Sequence, residues 1–202
     1  MKTIEFIFDF GSPNAYLAYR ALPPILARTG AALLVNPCLL GGIFKATGNQ
    51  GPMVAFADIK GKLAYERLEI RRFVEKHRLS RFRFNPYFPV NSLMITRGLV
   101  AAEMLGLAAP YIETVLVATW EDGLRMDDAA IVSAALSKAG LDGEKLVART
   151  KDDDVKQKLI ANTQAAVDRG VFGVPTFFVG GEMFFGKERL GQVEEELLRK
   201  AA

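Results

Sequence analysis

Apolar residues occupy every second position from Ile4 to Phe10, and Glu5 and Asp9 stand among the positions between them. A period of two is typical of a strand that buries one face. The turn-forming residues 11–14, Gly-Ser-Pro-Asn, then end the strand. The pattern therefore predicts a buried first strand that stops directly before a serine.

A helix is predicted over 15–22, and Pro23-Pro24 marks a break or a kink before a further helical stretch over 25–28. Gly30 ends this stretch, and the apolar residues 32–35 predict a second buried strand. This opening is a β-α-β unit, in which the two strands run parallel through a right-handed crossover.

The middle of the chain has a helical pattern without strands. Asn91 or Ser92 and Asp127 are predicted N-caps, and turn residues over 48–52 and 85–89 predict loops. The predicted helices are 60–78, 92–105, 110–119, 128–139 and 144–149. Such a run is best explained as a helical subdomain inserted into another fold.

Strands return after a further predicted helix over 153–169. Residues 176–179 and 183–185 predict two short strands joined by a Gly-Gly turn, and an amphipathic helix over 189–199 follows.

This order of elements is the thioredoxin topology with an insert between its β-α-β half and its β-β-α half. The sequence therefore predicts an α/β protein with a thioredoxin-like fold and an inserted all-helical subdomain. The thioredoxin-like domain is predicted over 1–45 and 153–202, and the helical insertion subdomain over 60–150.

The charge balance narrows the range of partners. The 202 residues include 26 Lys or Arg and 23 Asp or Glu, which leaves a formal net charge of +3. No basic run is long enough for a nucleic-acid patch, so a small anionic ligand fits better than a polyanion.

The N-terminal segment carries Glu5 and Asp9 where a secretory signal needs an unbroken apolar stretch. No segment has the roughly 18 to 20 consecutive apolar residues of a membrane span. We therefore expect a cytoplasmic protein with no membrane partner.

The chain has one cysteine, Cys38, and one histidine, His77. This excludes a disulfide framework, a Cys/His zinc site and a CxxC redox centre. We expect Cys38 to be an inert core residue, and His77, in a charged stretch, to lie at a solvated helix end. The side chains of the protein thus supply almost no nucleophile or base active near neutral pH.

Ser12 opens the first helix, where unpaired N–H groups and the helix dipole favour an anion. Two interpretations stay open: a helix cap, or a hydroxyl that donates to an anion bound at the helix end. A serine hydrolase is excluded because no GxSxG surrounds Ser12 and no base is placed to activate it.

Pro175 stands at the head of the apolar strand that begins at Thr176. It is either an ordinary edge-strand proline or the second residue of a cis peptide bond. In the second case the N–H and C=O of Val174 are left beside Ser12, where they can bind an extended peptide by strand addition.

Four segments of the sequence resemble one known family: DFGSPNAYLA over 9–18, GNQGP over 48–52, FGVPTFF over 172–178 and MFFGKERL over 183–190. The chain resembles the 2-hydroxychromene-2-carboxylate isomerases, bacterial relatives of the kappa-class glutathione transferases. Both belong to the thioredoxin-like group that includes the DsbA oxidoreductases. The resemblance extends over essentially the whole chain.

The resemblance implies that glutathione is the cofactor. It implies that Val174, before Pro175, pairs with the peptide backbone of glutathione, while Ser12 donates to its sulfur. A helix N-terminus and a hydroxyl bond lower the pKa of a thiol, so the ligand is held as a thiolate. Lys60 resembles the lysine that meets the glycyl carboxylate, and Asn49 a nearby amide; a solvated helix start is the alternative for Lys60.

The segment Phe185-Gly186-Lys187-Glu188 occupies the place where the family holds the γ-glutamyl end, usually with Ser or Asn followed by Asp. In this chain Lys187 is expected to pair with the γ-glutamyl carboxylate, and Glu188 to accept from the ammonium group.

Three residues resemble substrate contacts of the isomerases. The resemblance implies that Lys45 pairs with the carboxylate of the substrate, that Asn91 bonds its hydroxyl or carbonyl, and that Phe88 covers its ring. The alternatives are a loop charge for Lys45, an N-cap for Asn91 and a core position for Phe88.

The resemblance therefore predicts a glutathione-dependent isomerase. It would convert 2-hydroxychromene-2-carboxylate, or a similar aromatic ring-cleavage product, to trans-o-hydroxybenzylidenepyruvate by reversible thiolate addition. The partners expected are a small aromatic carboxylate and a second copy of the chain in a homodimer, with no metal. A kappa-like transferase that conjugates glutathione and a non-catalytic thioredoxin-like peptide-binding protein are the alternatives.

Overall fold

The computed structural model describes residues 2–199, and residues 1 and 200–202 of the predicted thioredoxin-like domain lie outside the described residues. The strands are β1 (Thr3–Phe8), β2 (Ala32–Pro37), β3 (Thr176–Val179) and β4 (Glu182–Phe185). They form a mixed sheet in the order β2-β1-β3-β4. β1 is parallel to β2 and antiparallel to β3, and β3 is antiparallel to β4. The predicted β-α-β unit and the predicted hairpin are confirmed.

Helices connect and cover the strands. In chain order they are α1 (Pro13–Ala21), α2 (Pro23–Thr29), α3 (Leu40–Thr47), α4 (Pro52–Ala55), α5 (Lys62–His77), α6 (Leu93–Met104), α7 (Ala108–Trp120), α8 (Ala129–Lys138), α9 (Gly143–Arg149), α10 (Asp153–Asp168) and α11 (Leu190–Leu198), with a 3-10 turn at Lys187–Arg189 before α11. Each helix predicted from the sequence is present, and its ends differ from the prediction by no more than two residues. The thioredoxin-like fold with a helical insert is therefore confirmed.

Two helices, α3 and α4, were not predicted. The first turn of α3 contains Gly41 and Gly42, which have low helix propensity, and α4 has only four residues. Packing explains why α3 forms: a Cβ on Gly42 would lie 3.2 Å from a methyl carbon of Thr163 on α10. The Thr163 hydroxyl also accepts a hydrogen bond of 2.9 Å from the N–H of Leu39. Tertiary contacts with α10 thus replace the missing local signal.

One predicted N-cap is wrong. Asp128, not Asp127, caps α8, because its carboxylate accepts from the N–H groups of Ala130 at 2.9 Å and Ile131 at 3.2 Å. Asp127 instead forms an ion pair with Arg125 at 3.1 Å. The two aspartates are adjacent and chemically identical, so the sequence alone does not separate them.

β1 is buried on both faces, whereas its alternating pattern predicted one. Phe6 and Phe8 lie in the larger hydrophobic cluster, and Ile7 lies in a smaller cluster with Cys38 and Val174. This follows from the position of β1 inside the sheet, where both of its neighbours are strands and both faces are covered.

The helical insert is fastened to the sheet by buried polar contacts. The indole N–H of Trp120 donates to the carbonyl of Phe10 at 2.9 Å. The next residue, Glu121, forms ion pairs with Arg20 at 2.7 Å and with Arg81 at 2.6 Å. The bond from Trp120 holds the end of α7 against the segment before α1, and the pair with Arg20 holds it against the last turn of α1, whereas Arg81 lies within the insert.

Residues 2–199 contain no helix that is both long and apolar enough to cross a bilayer. Across the same residues, no group of three or more His, Cys, Asp or Glu side chains is arranged to hold a metal ion. The division of the chain into residues 1–45 with 153–202 and 60–150 stays a prediction.

Candidate active site

Ser12 is the N-cap of α1 and is 5% exposed. Its hydroxyl oxygen accepts from the N–H of Ala15 at 3.2 Å, and its hydroxyl lies 3.4 Å from the carbonyl oxygen of Val174, to which it donates. The two interpretations of Ser12 are therefore compatible, because the oxygen makes the cap and the hydrogen is directed elsewhere. A bond of 3.4 Å is long for a hydroxyl donor, so a better acceptor can replace the carbonyl.

The peptide bond between Val174 and Pro175 is cis, the second of the two alternatives that the sequence left open. The Pro175 carbonyl accepts from the N–H of Gly186 at 2.9 Å, which continues the ladder between β3 and β4. Within residues 2–199 the N–H of Val174 has no hydrogen-bond partner. The backbone of Val174 thus offers a donor and an acceptor beside Ser12, the arrangement that strand addition requires.

Asn49 connects the loop between α3 and α4 to the loop that precedes Val174. Its side-chain nitrogen donates to the carbonyl of Phe172 at 2.8 Å, and its side-chain oxygen accepts from the N–H of Gln50 at 2.8 Å. Asn49 is therefore brought to the site, with its amide already engaged by the chain.

The lysines near the site differ in their surroundings. Lys60, in the turn before α5, and Lys45, in the last turn of α3, are both exposed and form no ion pair with any described residue. Lys62, by contrast, pairs with Glu66 at 2.7 Å, and its ammonium lies 4.8 Å from the ring centre of Phe56. Two uncommitted positive charges thus remain on the elements that flank Asn49.

Lys187 has a partner inside the chain. Its side chain is 3% exposed, its ammonium pairs with the Glu188 carboxylate, and it lies 5.4 Å from the ring centre of Phe73. Both residues line a groove of about 460 Å³ between α2, α5 and α11, and neither Ser12 nor Val174 lines it. The predicted contacts of Lys187 and Glu188 with a γ-glutamyl end would therefore have to compete with their mutual ion pair.

The neighbouring residues Phe185 and Gly186 shape the end of β4. The ring of Phe185 is exposed and lies 4.5 Å from that of Phe172, between centres. Gly186 has φ 99°, and a Cβ there would lie 3.0 Å from the Glu188 carboxylate. The positive φ therefore favours glycine at this position, whereas the exposed end of the Glu188 side chain could move away from a Cβ.

Two of the three predicted substrate contacts, Phe88 and Asn91, lie in the segment before α6, whereas Lys45 lies in α3. Phe88 is half-buried, with its ring centre 6.1 Å from that of Trp120. Asn91 is exposed, and its side-chain oxygen accepts from the N–H of Leu93 at 3.2 Å. Phe88 thus makes the core contact, and Asn91 the capping contact, that their alternative interpretations predicted. The roles of these two residues towards a substrate stay predictions.

Sequence reasoning missed Asp9 as a site residue. Asp9 is fully buried, and its two oxygens accept from the N–H groups of Gly11 and Leu40, each at 2.7 Å. The Ser92 hydroxyl adjoins the same carboxylate, since a Cβ on Gly11 would meet both groups. Burial raises the pKa of Asp9, and the backbone N–H groups of Leu40 and Gly11, together with Ser92, oppose that rise. The one available signal was an acid at the end of a strand that is otherwise almost entirely apolar.

Neither Cys38 nor His77 supplies a reactive group to the site around Ser12 and Val174. Burial raises the pKa of the Cys38 thiol to about 12, and its sulfur lies 3.5 Å from the carbonyl oxygen of Asn162. His77 is half-buried rather than solvated, with its ring 4.2 Å from that of Phe73, and burial lowers its pKa. The hydroxyl of Ser12 and the free backbone edge of Val174 can hold an anion and a peptide, but they supply no nucleophile of their own.

Comparisons with known proteins agree with this arrangement. The family model of the DsbA-like thioredoxin domain matches residues 3–198. A 2-hydroxychromene-2-carboxylate isomerase of Pseudomonas putida is 30% identical over 97% of this chain and 94% of its own length. Glutathione S-transferase kappa 1 of Rattus norvegicus is 25% identical over 94% of this chain and 88% of its own length.

Solved structures show the same likeness. A structure of a 2-hydroxychromene-2-carboxylate isomerase superposes with a TM-score of 0.82 at 30% identity, over 96% of this chain and 93% of that one. A probable DsbA oxidoreductase from Streptomyces coelicolor superposes with a TM-score of 0.70 at 17% identity, over 100% and 93%, and shows the fold alone.

The fold thus defines a thioredoxin-like protein of the DsbA group, in which a serine, Ser12, caps the helix that follows the first strand. Within that group, the chain belongs to the family of the 2-hydroxychromene-2-carboxylate isomerases.

Proposed function

We propose that this protein is a glutathione-dependent isomerase that converts 2-hydroxychromene-2-carboxylate, or a similar aromatic ring-cleavage product, to trans-o-hydroxybenzylidenepyruvate. The observation that carries the proposal is the pairing of the Ser12 hydroxyl with the Val174 carbonyl at the N-terminus of α1. The curated relatives that bear this activity in their names support the choice of substrate.

The residues present fit glutathione. Val174 offers one backbone donor and one acceptor to a peptide, and the hydroxyl of Ser12 can turn from a 3.4 Å bond towards a sulfur atom. When bound, glutathione would supply the thiolate that the protein lacks. The N-terminus of α1 and Ser12 would stabilise that negative charge and lower the pKa of the thiol.

Other residues would orient the cofactor. Lys60 is free to meet the glycyl carboxylate, and Asn49 fixes the adjoining loop through Phe172. The γ-glutamyl end of glutathione would lie at the end of β4 and the turn after it, against Phe185, Gly186, Lys187 and Glu188. The ion pair between Lys187 and Glu188 would open, or keep only one member in contact with the γ-glutamyl end.

On the substrate side, we place the carboxylate of the substrate at Lys45, its ring against Phe88 and its hydroxyl or carbonyl at Asn91. The half-buried ring of Phe88 would give this side an apolar surface, and the fully buried ring of Trp120 packs behind it. Lys45 supplies a positive charge that no described residue neutralises.

The test is an isomerase assay with purified protein, 2-hydroxychromene-2-carboxylate and glutathione. We expect turnover that requires glutathione, a constant concentration of free thiol, and a fall in kcat/KM of about 100-fold in Ser12→Ala. Ser80→Ala, at an exposed serine in the turn after α5, is the matched control and should keep full activity. Absence of conversion by the wild-type protein contradicts the proposed substrate.

The likeness to glutathione S-transferase kappa 1 favours a second candidate, a transferase that conjugates glutathione to an electrophile. A net loss of free thiol during turnover would support this activity instead of isomerisation. A non-catalytic peptide-binding role would be supported if millimolar glutathione left the melting temperature unchanged.

We also propose that the protein forms a homodimer. This follows from the resemblance to the isomerase family rather than from a visible surface. Sedimentation equilibrium of the purified chain tests it directly, and a single species with the mass of one chain, 22.2 kDa, would contradict it.

A further inference from the structure

Asp9 lies where three segments that are far apart in the sequence meet at the site. Its first oxygen accepts from Gly11 in the turn that carries Ser12. Its second oxygen accepts from Leu40 at the start of α3. The Ser92 hydroxyl, at the start of α6, lies beside the same turn, because a Cβ on Gly11 would meet both Ser92 and Asp9. One carboxylate thus bonds the turn before α1 and the helix that leads to Asn49, and it adjoins the segment that carries Asn91.

The space around this carboxylate is closed. A Cβ on Gly11 would lie 3.2 Å from the Ser92 hydroxyl oxygen and 3.3 Å from the first oxygen of Asp9. A side chain at position 11 would therefore crowd Asp9 and Ser92, and the 2.7 Å bond from its N–H ties the backbone of Gly11 to the carboxylate. Because Ser12 follows Gly11, its hydroxyl moves with that backbone.

A carboxylate is well suited to this position, because it has two oxygens and no donor. Two backbone N–H groups donate to it, one to each oxygen, so it accepts from both without a clash. An amide in its place keeps one acceptor oxygen and turns an NH₂ group towards one of the N–H donors. An apolar residue leaves both donors without a partner in a buried place.

We propose that Asp9 is a positioning residue that sets the direction of the Ser12 hydroxyl towards a bound thiol and couples the two flanking segments to it. This rests on the proposed function, in which Ser12 donates to the sulfur of glutathione. Asp9 acts through Ser12 and touches neither cofactor nor substrate.

The experiment titrates the thiolate absorbance of glutathione bound to the wild-type protein, to Asp9→Asn and to Ser12→Ala. Loss of positioning weakens the hydrogen bond from Ser12, so Asp9→Asn should raise the pKa of the bound thiol by about one pH unit. Ser12→Ala gives the shift for complete loss of this hydrogen bond. The matched control Asp122→Asn, at an exposed aspartate after α7, should leave the pKa unchanged.

The direction of the shift distinguishes positioning from two simpler roles. If Asp9 acted only as a nearby negative charge, its removal would lower the pKa of the thiol, because a like charge raises it. If Asp9 only stabilised the fold, the melting temperature of Asp9→Asn would fall while the thiol pKa, measured well below that temperature, stayed constant. Either result overturns the proposal.

Ser92→Ala covers the case in which Asp9→Asn does not fold, since it removes the hydroxyl that adjoins Asp9 and keeps both backbone bonds of Asp9. We expect a smaller rise in the thiol pKa, and an unchanged pKa in folded Ser92→Ala would count against positioning. Failure of the wild-type protein to bind glutathione would instead contradict the proposed function. Faster amide hydrogen exchange of both Gly11 and Leu40 in Asp9→Asn would then still show that Asp9 joins the segments, and unchanged exchange would refute it.

Discussion

Trp120 donates its indole N–H to the carbonyl of Phe10 at 2.9 Å, across 110 residues of sequence. Phe10 lies between the end of β1 and Ser12, so the insert is bonded to the chain two residues before the site serine. Both residues are fully buried. The position of the helical insert is thereby coupled to the start of α1.

Trp120→Phe removes this donor and leaves the carbonyl of Phe10 without a partner in the core. Together with the smaller ring, this should lower the free energy of unfolding by about 3 kcal/mol. Urea denaturation measures it. Tyr87→Phe, at an exposed aromatic residue, is the comparison and should change stability by less than about 0.5 kcal/mol. Equal stability of the two variants would show that the indole bond is dispensable.

Arg20 pairs with one buried and one exposed glutamate, which gives a matched pair of substitutions. The side chain of Glu121 is 4% exposed and that of Glu113 is 52% exposed. Glu121→Gln leaves Arg20 and Arg81 without their shared anion and should cost about 2 to 3 kcal/mol, whereas Glu113→Gln should cost at most about 0.5 kcal/mol. Thermal or urea unfolding of both variants checks this, and a reversed order would contradict it.

Glu103, on α6, gives stability a specific pH dependence. Burial raises its pKa from 4.5 to about 7, and Lys158 opposes the rise only in part. Between these values the folded state binds a proton that the unfolded state has released. The free energy of unfolding contributed by Glu103 is therefore greatest at low pH and is lost as the pH rises from 4.5 to 7.

Glu103→Gln should flatten this part of the stability profile, as measured by urea midpoints across the interval. Glu144→Gln, at an exposed glutamate on α9, should keep the wild-type slope. A Glu103→Gln profile parallel to that of the wild type would remove Glu103 as the cause.

Substitutions of Lys60 and Lys62 distinguish a lysine that contacts the ligand from a lysine that only carries a charge at the start of a helix. Lys62 is committed to Glu66 at 2.7 Å, and Lys60 has no ion-pair partner among residues 2–199. If Lys60 meets the glycyl carboxylate, Lys60→Ala should weaken glutathione binding about five- to tenfold, the worth of one partly exposed charged contact. Calorimetry should show less than a twofold change for Lys62→Ala. Equal losses of glutathione affinity in the two variants would indicate that Lys60 acts only as a general surface charge and does not contact the glycyl carboxylate.

Cys38 should be inert towards thiol reagents in the folded protein. Its thiol is fully buried, and burial raises its pKa to about 12, so almost no thiolate exists near neutral pH. An aromatic disulfide reagent should label Cys38 only in urea, while free glutathione in a parallel sample reacts at once. Stoichiometric labelling without denaturant would contradict this.

The sequence was sufficient for those parts of the site that depend on local chemistry. Ser12 follows a strand and precedes a helix, and Pro175 precedes a strand, so periodicity and turn residues were enough to predict both positions. That the two meet followed from the topology, because a β-α-β start and a β-hairpin near the end place those segments on neighbouring strands.

The parts that were missed depend on contacts between distant segments. α3 forms against Thr163 although its first turn has two glycines. Asp9 is internal although it is charged, because Gly11 and the distant Leu40 both donate to it, and no local pattern around residue 9 contains Leu40. The Lys187 ammonium packs near the ring of Phe73 on α5 and pairs with Glu188. Phe73 is far from residue 187 in the sequence, so the local motif did not reveal this arrangement.

The hydroxyl of Ser12 and the carbonyl of Val174 are separated by 162 residues along the chain. A growing polypeptide therefore has, at an early stage, the helix end that we propose binds an anion, but it receives the proposed peptide edge only after the entire helical insert has been made. A ligand that needs both halves cannot assist the folding of the first half during synthesis. Binding of such a ligand instead requires that β3 has joined the sheet. The affinity for the ligand can therefore be used to measure the fraction of completely folded protein.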